Sequence, residues 1–497
     1  MSEIKMKFKT EPRNHQLQEF NLRKDERLWA WLWEQGTGKT KLALDNMAYC
    51  YFEKLIDGAL ILAPNGVHEN WILDEIPKHF VDEIPYKSLT WKNKHKNTKR
   101  FKKQFQEILE FEGMVFFAMN YEAWITQAGF EFGSKFLKAR KVFAVADESG
   151  VVKNSASKVS KACLKIAPES EFVRILNGTV IEDGPFDAFG LIRFLDANFW
   201  SRFNLDNQFK FERKFATFEQ KTITRFNQRT RKYVRQQFNI IKELQGKKQY
   251  KNLDQLRGML SEISSRVLKK DVLDLPPKLF MKRYFDMSSN QRKAYDHLTE
   301  NLSMMVGEDL ISAELAITRE LKFQQVINGY VATDDGDMVD IPGPNPRLDL
   351  LESLVKEKKT AFIVWCRFRH DVVKVSAMLK NNNITYGQYY GDTGDEDRLK
   401  CRQDFQAGRI QGFIATEAAS TGLTLHKAED EYFYSNSYKL KVRLQMEDRA
   451  HRDGLTHCVK IWDLIANDSI DGKIIKALIE KREVADYINM DYQSEWI

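Results

Sequence analysis

Five short apolar runs, each followed by a stretch long enough for a helix, constrain the first 200 residues. They are LWAWLW (28–33), GALILAP (58–64), MVFFAMN (114–120), VFAVAD (142–147) and FVRILNG (172–178). Runs without polar alternation read as strands buried on both faces. Strand–helix repeats of this kind build a parallel sheet covered on two sides. The pattern stops near Trp200. It resumes with AFIVWC (361–366), ITYGQYY (384–390), GFIAT (412–416), EYFYS (431–435) and VKIWDLIA (459–466).

Between these blocks lies a polar segment, 201–275, rich in Gln and Phe, which reads as helical. A longer helical pattern follows, with Leu298, Leu302, Met305, Leu315, Leu321 and Ile327 among its apolar positions. IPGPNPR (341–347), with three prolines in seven residues, reads as a linker. The expected fold class is therefore α/β, two parallel-sheet lobes with an inserted basic helical region. The divisions are 1–200 for the first lobe, 201–275 for the insertion, 276–340 for a helical start of the second lobe, and 341–497 for the rest of it.

Composition sets some function classes aside. Hydrophobic residues make up 43% and charged residues 30% of 497 residues, enough apolar material for a core in every lobe. The five cysteines, Cys50, Cys163, Cys366, Cys401 and Cys458, form no CxxC pair, which argues against a zinc ribbon or a disulfide framework. Reduced thiols in a cytoplasm-like compartment are expected. No apolar run approaches the ~20 residues of a membrane span. The opening MSEIKMKFKT lacks the apolar stretch of a signal peptide.

Three stretches carry chemistry. WEQGTGKT (33–40) falls between an expected strand and an expected helix. Gly36 and Gly38 let the backbone curl so that its N–H groups face phosphate oxygens. Lys39 would then reach the β- and γ-phosphates, and the Thr40 hydroxyl would sit on Mg²⁺. The strict P-loop pattern has Gly where this chain has Trp33. VFAVADESG (142–150) ends a buried strand in two carboxylates. Asp147 there can hold Mg²⁺ through its water shell and Glu148 can polarise an attacking water. An isolated Asp-Glu pair is more often a helix cap, but one about 110 residues after a P-loop, closing a buried strand, favours the chemical reading. In QMEDRAHRDG (445–454), Arg449 and Arg452 are three apart on an expected helix and project from one face. Such a pair is usually a solvated surface, unless the face meets a nucleotide whose γ-phosphate an arginine can neutralise.

The positive charge is gathered in two places. Residues 86–105 hold eight Lys/Arg and no Asp/Glu, and 201–275 hold 18 Lys/Arg against 8 Asp/Glu. The whole chain carries only +7, so the remainder is net negative. Concentrated basic charge points to phosphates. Lys99, Arg100, Lys102 and Lys103 are the candidates in the first run. The phenylalanines of 201–275 are read mainly as core residues rather than base-stacking platforms.

In this order, the three stretches resemble the helicase superfamily 2 signature, and more closely its Swi/Snf-type branch of double-stranded DNA translocases. The likeness runs over about residues 11 to 485. RNHQLQEF (13–20) is similar to the adenine-reading motif, with Gln16 as its glutamine and Arg13 beside it. EQGTGKT resembles motif I, which implies nucleotide contacts from Gly36, Thr37, Gly38, Lys39 and Thr40. LILAPNGVHENWILDEI (60–76) resembles motif Ia, and AMNYEAW (118–124) the strand end after it. DESGVVKNSASK (147–158) is similar to the Asp-Glu motif with its trailing Lys153 and Asn154. LNGTVIEDGPFDAFGLIRFLD (176–196) matches motif III at Gly178 and Thr179. SRVLKKDVLDLPPK (265–278) and LKFQQVINGY (321–330) resemble stretches of the Swi/Snf branch. FIVWCRFRHDVV (362–373), with the helix pair in YYGDTGDEDRLKCRQDFQ (389–406) after it, IATEAASTGLTLHKAED (414–430) and QMEDRAHRDG resemble motifs IV, V and VI. Gly150, Asn177, Val180 and Ile181 depart from the usual residues, and none of them removes a group needed for hydrolysis.

The resemblance implies two RecA-like lobes, an ATP and Mg²⁺ requirement, and catalytic roles for Lys39, Asp147, Glu148, Arg449 and Arg452. It adds Gly422 and Gln445 to the nucleotide contacts. It implies nucleic-acid contacts at Asn65, Trp71, Tyr121, Lys153, Asn154, Arg367 and Thr416. The expected partner is duplex or branched DNA read with little sequence specificity, gripped by a monomeric translocase. Repair, recombination, replication or remodelling are the expected settings, in a prokaryotic or virus-infected host cytoplasm. A strand-separating or branch-migrating helicase, and a non-catalytic nucleotide-gated DNA-binding protein, stay open as alternatives.

Overall fold

The computed structural model describes residues 7–178, 184–227, 232–244, 247–306, 313–333, 337–419 and 423–489. The chain divides into two compact units. The first holds the residues up to Phe215 together with Tyr250–Asp274 and Val484–Gln493. The second holds Ala216–Gln249 and Leu275–Glu483.

Six strands of the first unit come in chain order: β1 (Leu28–Trp31), β2 (Gly58–Ala63), β3 (Tyr86–Thr90), β4 (Met114–Asn120), β5 (Val142–Asp147) and β6 (Phe172–Leu176). Both β4 and β5 begin and end with their apolar runs. Every residue of β2 is buried, as a strand covered on both faces requires. β3 was not anticipated, because its sequence YKSLT is a partly exposed edge strand inside the basic run.

The segment expected to be helical contains a long hairpin instead. β7 (Phe218–Asn227) pairs antiparallel with β8 (Lys232–Ile241), from Phe218 opposite Ile241 to Asn227 opposite Lys232, as a two-stranded sheet of its own. Thr222, Ile223, Thr224, Tyr233 and Val234 favour strand over helix, so local preference and the observed hairpin agree. Among the described residues there, helix is confined to Gln208–Phe215, Leu253–Ser261 and the single turn Lys269–Val272, apart from a 3₁₀ turn at Phe199–Phe203. The chain then adds β9 (Ser264–Ser265) to the first sheet, whose order is β9-β1-β6-β5-β2-β4-β3, all parallel. The first unit therefore does not close near residue 200.

Past Leu275, where a helical start was expected, the second unit resumes with a strand. β10 (Lys278–Phe285) runs parallel to the last strand, and its mixed sequence KLFMKRYF, with only Phe285 buried, is that of a half-exposed edge. The helices Ser289–Val306 and Ala313–Ile327 follow. The other strands of its sheet are β11 (Phe362–Trp365), β12 (Tyr386–Tyr389), β13 (Gly412–Ala415), β14 (Asp430–Phe433) and β15 (Val459–Ala466). Their order is β10-β15-β14-β11-β13-β12, again all parallel. Ile363 and Trp365 join one hydrophobic cluster, and Phe362 and Val364 join another, so the period-2 alternation of β11 feeds a core on each face. The proline stretch 341–347 lies inside this unit and is no inter-domain linker. Pro346 begins the helix Pro346–Val355, and the Asn345 side chain caps it by accepting the Leu348 N–H.

No helix among the described residues is long and apolar enough to cross a membrane.

Candidate nucleotide site

β1, β6 and β5 are adjacent in the first sheet, so their carboxyl ends gather three loops on one edge. Ligands of open α/β sheets bind at such ends. After β1 comes the glycine loop. Gly36 and Gly38 have φ of 81° and 85°, the left-handed region that favours glycine. A Cβ at Gly38 would clash with the Gln16 side-chain amide, so the glycine is also required by a close approach. The loop leads directly into the helix Lys39–Phe52, with Thr40 half-buried in its first turn.

Gln16 is buried against this loop. Its Nε2 donates to the Gly38 carbonyl at 2.9 Å, while its Oε1 accepts the backbone N–H of Arg13, the N-cap of the helix Asn14–Arg23. One glutamine thereby fixes both the helix start and the loop. His15, not singled out from the sequence, adds a contact of 2.9 Å between its Nε2 and the Thr37 carbonyl. Burial lowers the His15 pKa. Thr37 is buried, and its hydroxyl donates to the Glu34 carbonyl at 2.7 Å.

The Lys39 amine donates to the carbonyls of Trp33 and Glu34 at 2.6 and 3.0 Å. Burial pushes its pKa down to about 8. The carboxylates of Glu148 and Asp147 oppose that shift, and the cations Arg266 and Lys269 add to it. At the end of β5, Asp147 accepts the Trp71 indole N–H on Oδ2 and the Glu148 backbone N–H on Oδ1, both at 2.9 Å. Burial, reinforced by Glu148, raises the Asp147 pKa to about 6. Glu148 has φ 48° and ψ 45°, a left-handed conformation that costs a non-glycine residue free energy and turns the chain sharply. Its Oε1 accepts the Gln35 amide at 3.0 Å.

Curled glycine N–H groups, a lysine and two carboxylates at one sheet edge fit a nucleotide polyphosphate. The hydroxyl of Thr40 and the carboxylate of Asp147 are hard oxygen donors of the type Mg²⁺ takes. Among the described residues, the donor set matches both groups.

Two residues expected at nucleic acid lie in the core of the first unit. Trp71 and Tyr121 are 1% and 0% exposed. Trp71 holds the Asp147 carboxylate, and the Tyr121 hydroxyl donates to the Asp147 carbonyl at 2.8 Å. Both rings are core, and their polar ends brace the acidic strand end. Asn65 is exposed after β2, as is Asn154, while the Lys153 amine lies 3.6 Å from Asp187. Lys99, Arg100, Lys102 and Lys103 are exposed on the helix Lys99–Leu109, whose Phe101, Phe105 and Ile108 are buried.

In the second unit, the helix Leu440–Ala450 carries Arg449, and Arg452 follows just beyond its end. Arg449 is buried, not solvated. It donates to the Gln445 and Leu423 carbonyls at 2.9 Å each. Arg452 reaches the Asp448 carbonyl and the Thr424 hydroxyl, each at 3.2 Å. Gln445 is buried. Lys278 holds this helix through Glu447 at 3.3 Å and Asp448 at 3.0 Å. Arg367 donates its backbone N–H to Ser435 at 2.8 Å and its guanidinium to Gln324. Thr416 follows β13, and its hydroxyl oxygen accepts the Ala418 N–H at 3.5 Å. Gly422 and Thr179 lie outside the described residues.

The family model described as "SNF2-related domain" matches residues 32–332, and "Helicase conserved C-terminal domain" matches 346–454. The chain is similar to the ISWI chromatin-remodeling complex ATPase ISW1 of Saccharomyces cerevisiae, 24% identical over 90% of this chain and 37% of that protein. It is also similar to the uncharacterized ATP-dependent helicase MG018 of Mycoplasma genitalium, 22% identical over 91% of this chain and 39% of that protein. The chain thus spans less than half the length of these relatives. A solved structure, the Sulfolobus solfataricus SWI2/SNF2 ATPase core in complex with dsDNA, aligns over 97% of this chain and 94% of that one, at 19% identity and a TM-score of 0.40. With the SNF2-related model covering more than half of its residues, the chain belongs to the SNF2-related family and carries the helicase C-terminal domain behind it.

Proposed function

We propose that this chain is an ATP-hydrolysing motor that tracks DNA, its turnover stimulated by duplex or branched DNA, and that it serves repair, recombination, replication or the remodelling of protein–DNA complexes. The observation that carries the reading is the convergence of Lys39, on a loop held by Gln16, with Asp147 and Glu148, at the carboxyl ends of β1 and β5 on either side of β6. Family membership and the relatives named as ATPases and helicases support it.

In this reading the loop N–H groups and Lys39 bind the phosphates. Thr40 and Asp147 would hold Mg²⁺, which when bound would supply charge neutralisation at the phosphate oxygens. Glu148, oriented by Gln35, accepts a proton from the attacking water. Arg452 serves as the arginine that stabilises transition-state charge, with Arg449 shaping the segment from which it projects. The exposed cations at 99–103 contact phosphates of DNA without reading sequence.

A side-by-side measurement of ATP hydrolysis tests the proposal, with no nucleic acid, single strands, linear duplex, a four-way junction and RNA. Strong stimulation by plain duplex supports the translocase. Turnover in no condition, with DNA binding retained, would establish a nucleotide-gated binder instead; turnover that disappears in Glu148→Gln excludes that reading. A second reading, strand separation, is favoured by the β7–β8 hairpin, an element of the size a wedge needs. Unwinding of a forked duplex that is lost when 218–241 is replaced by a short turn would support it.

A further inference from the structure

After the hairpin, the chain returns to the first unit and lies along the glycine loop. The Ala30 N–H donates to the Ile263 carbonyl, the Leu32 N–H to Ser265, and the Glu34 N–H to Val267, at 3.0, 3.0 and 2.9 Å. The strap 263–267 is therefore stitched to β1 up to the loop's first residues. The Arg266 guanidinium bridges two elements, donating to the Leu32 carbonyl and to the Gly178 carbonyl after β6, the latter at 2.6 Å. At the end of the strap, the Lys269 backbone N–H donates to Glu34 Oε2 at 2.6 Å. Its stem then lies over the loop, with Cε 3.7 Å from where a Cβ on Gly36 would stand.

Lys269 is only 6% exposed, although a lysine is among the side chains least often buried. Its charge and that of Arg266 are both felt by the Lys39 amine. The loop gathers three cations, Lys39, Arg266 and Lys269, with three carboxylates, Glu34, Asp147 and Glu148, and Arg266 lies 4.0 Å from Glu34. A triphosphate would bring its negative charge beside a lysine stem already held over the loop. The strap fixes both the backbone and the stem of Lys269, so its ammonium is presented from a rigid element rather than a mobile surface arm.

We propose that Lys269 is a second phosphate-binding lysine of the nucleotide site, delivered to the glycine loop by the strap 263–269, with Arg266 as the residue that positions the strap. This rests on the reading of the glycine loop as a nucleotide site. Lys39 would approach the phosphates from the helix side of the loop and Lys269 from the side of Gly36. Charge is then supplied along the phosphate chain by two anchors that are distant in sequence.

The test is equilibrium binding of Mg·ATP, ADP and adenosine to the full chain, in wild type, Lys269→Met and Lys269→Arg. Methionine keeps the stem over Gly36 and removes the charge; arginine keeps the charge. The expected result is a tenfold or greater loss of ATP and ADP affinity in Lys269→Met, unchanged adenosine affinity, and recovery of most of the loss in Lys269→Arg. Equal ATP affinity in Lys269→Met and wild type would overturn the proposal. An equal loss for adenosine would also overturn it, because the lysine would then only shape the loop. Lys269→Gln, read with the same three ligands, decides the matter if Lys269→Met does not fold. A wild type that binds no nucleotide would instead overturn the glycine-loop reading on which the proposal stands.

Discussion

The indole N–H of Trp71 donates to Oδ2 of Asp147 across 2.9 Å, from a ring that is 1% exposed. That bond leaves the carboxylate little freedom to rotate. It also favours the ionised form, against a burial that pushes the pKa up to about 6. Orienting bonds of this kind behind a metal-binding carboxylate are typically worth about 10–100-fold in affinity or activity. Trp71→Phe keeps the ring and removes the donor. The expected outcome is a roughly tenfold or greater fall in ATP turnover with a raised Mg²⁺ requirement, and unchanged nucleotide-free DNA binding. A DNA-binding defect with normal Mg²⁺ dependence would return Trp71 to the nucleic-acid contacts.

Arg452→Ala should keep ATP binding and slow turnover by about 10³-fold or more, as removal of a charge-stabilising arginine does. Arg452 follows the end of its helix and is tied to Asp448 and Thr424 by bonds of 3.2 Å, so the substitution removes no buried core group. Arg449 is different. Its guanidinium holds the Leu423 and Gln445 carbonyls in the interior, and Arg449→Ala should lower the melting temperature as well as the rate. Single-turnover hydrolysis beside thermal melts separates the two. A near-normal rate in Arg452→Ala removes that residue from the chemistry.

The parallel strands were legible because both their faces are buried, which leaves an uninterrupted apolar run such as MVFFAMN. Edge strands carry a weaker signal. KLFMKRYF mixes charges with apolar residues because one side of β10 is half exposed, and the two residues of β9 are too few for any period. The hairpin was misread because Gln, Lys and Arg, all good helix formers, outweighed its threonines and β-branched residues in a composition-based reading. At the site, the glycine loop and the Asp-Glu pair were legible from spacing. The inward turn of Trp71 and Tyr121 was not, because a motif gives a residue's place in the chain and not the side to which its ring packs. Nor could spacing bring Arg266 and Lys269 back to Glu34, more than 200 residues earlier.

On the helix Lys99–Leu109, the division between buried Phe101, Phe105 and Ile108 and exposed Lys99, Arg100, Lys102 and Lys103 makes charge and stability separable. Reversing all four cations to Glu should weaken DNA binding without lowering the melting temperature, since the apolar face is untouched. Each phosphate contact contributes about 0.9 to the slope of log affinity against log salt on duplex DNA, so four lost contacts flatten it by about 3.6. Titrations from 50 to 300 mM salt, a range of about sixfold, resolve such a change readily. An unchanged slope would make this face a solvated surface only.

Stability should carry a pH signature from Glu431, a fully buried carboxyl in β14. Its Oε2 accepts the Trp365 indole N–H at 2.6 Å, and Lys278, Arg443 and Glu447 also act on it. Burial dominates and pushes its pKa up to about 8. In the unfolded chain a glutamate titrates near 4.3. Below that value both states hold the proton and burial costs nothing through ionisation. Between about 4.3 and 8 the folded state keeps a proton that the unfolded state has released, so stability falls as pH rises. Above 8 both are ionised and the full cost stands. At about 1.36 kcal/mol per pH unit, the loss between pH 5 and 8 is at most about 4 kcal/mol. Glu431→Gln imitates the protonated acid and keeps the acceptor for Trp365. Its melting temperature should match wild type near pH 5 and exceed it increasingly toward pH 8. Melts of nucleotide-free protein across this range check the prediction. A difference that stays constant with pH would show that Glu431 is ionised throughout, held by Lys278 and Arg443 rather than by a proton.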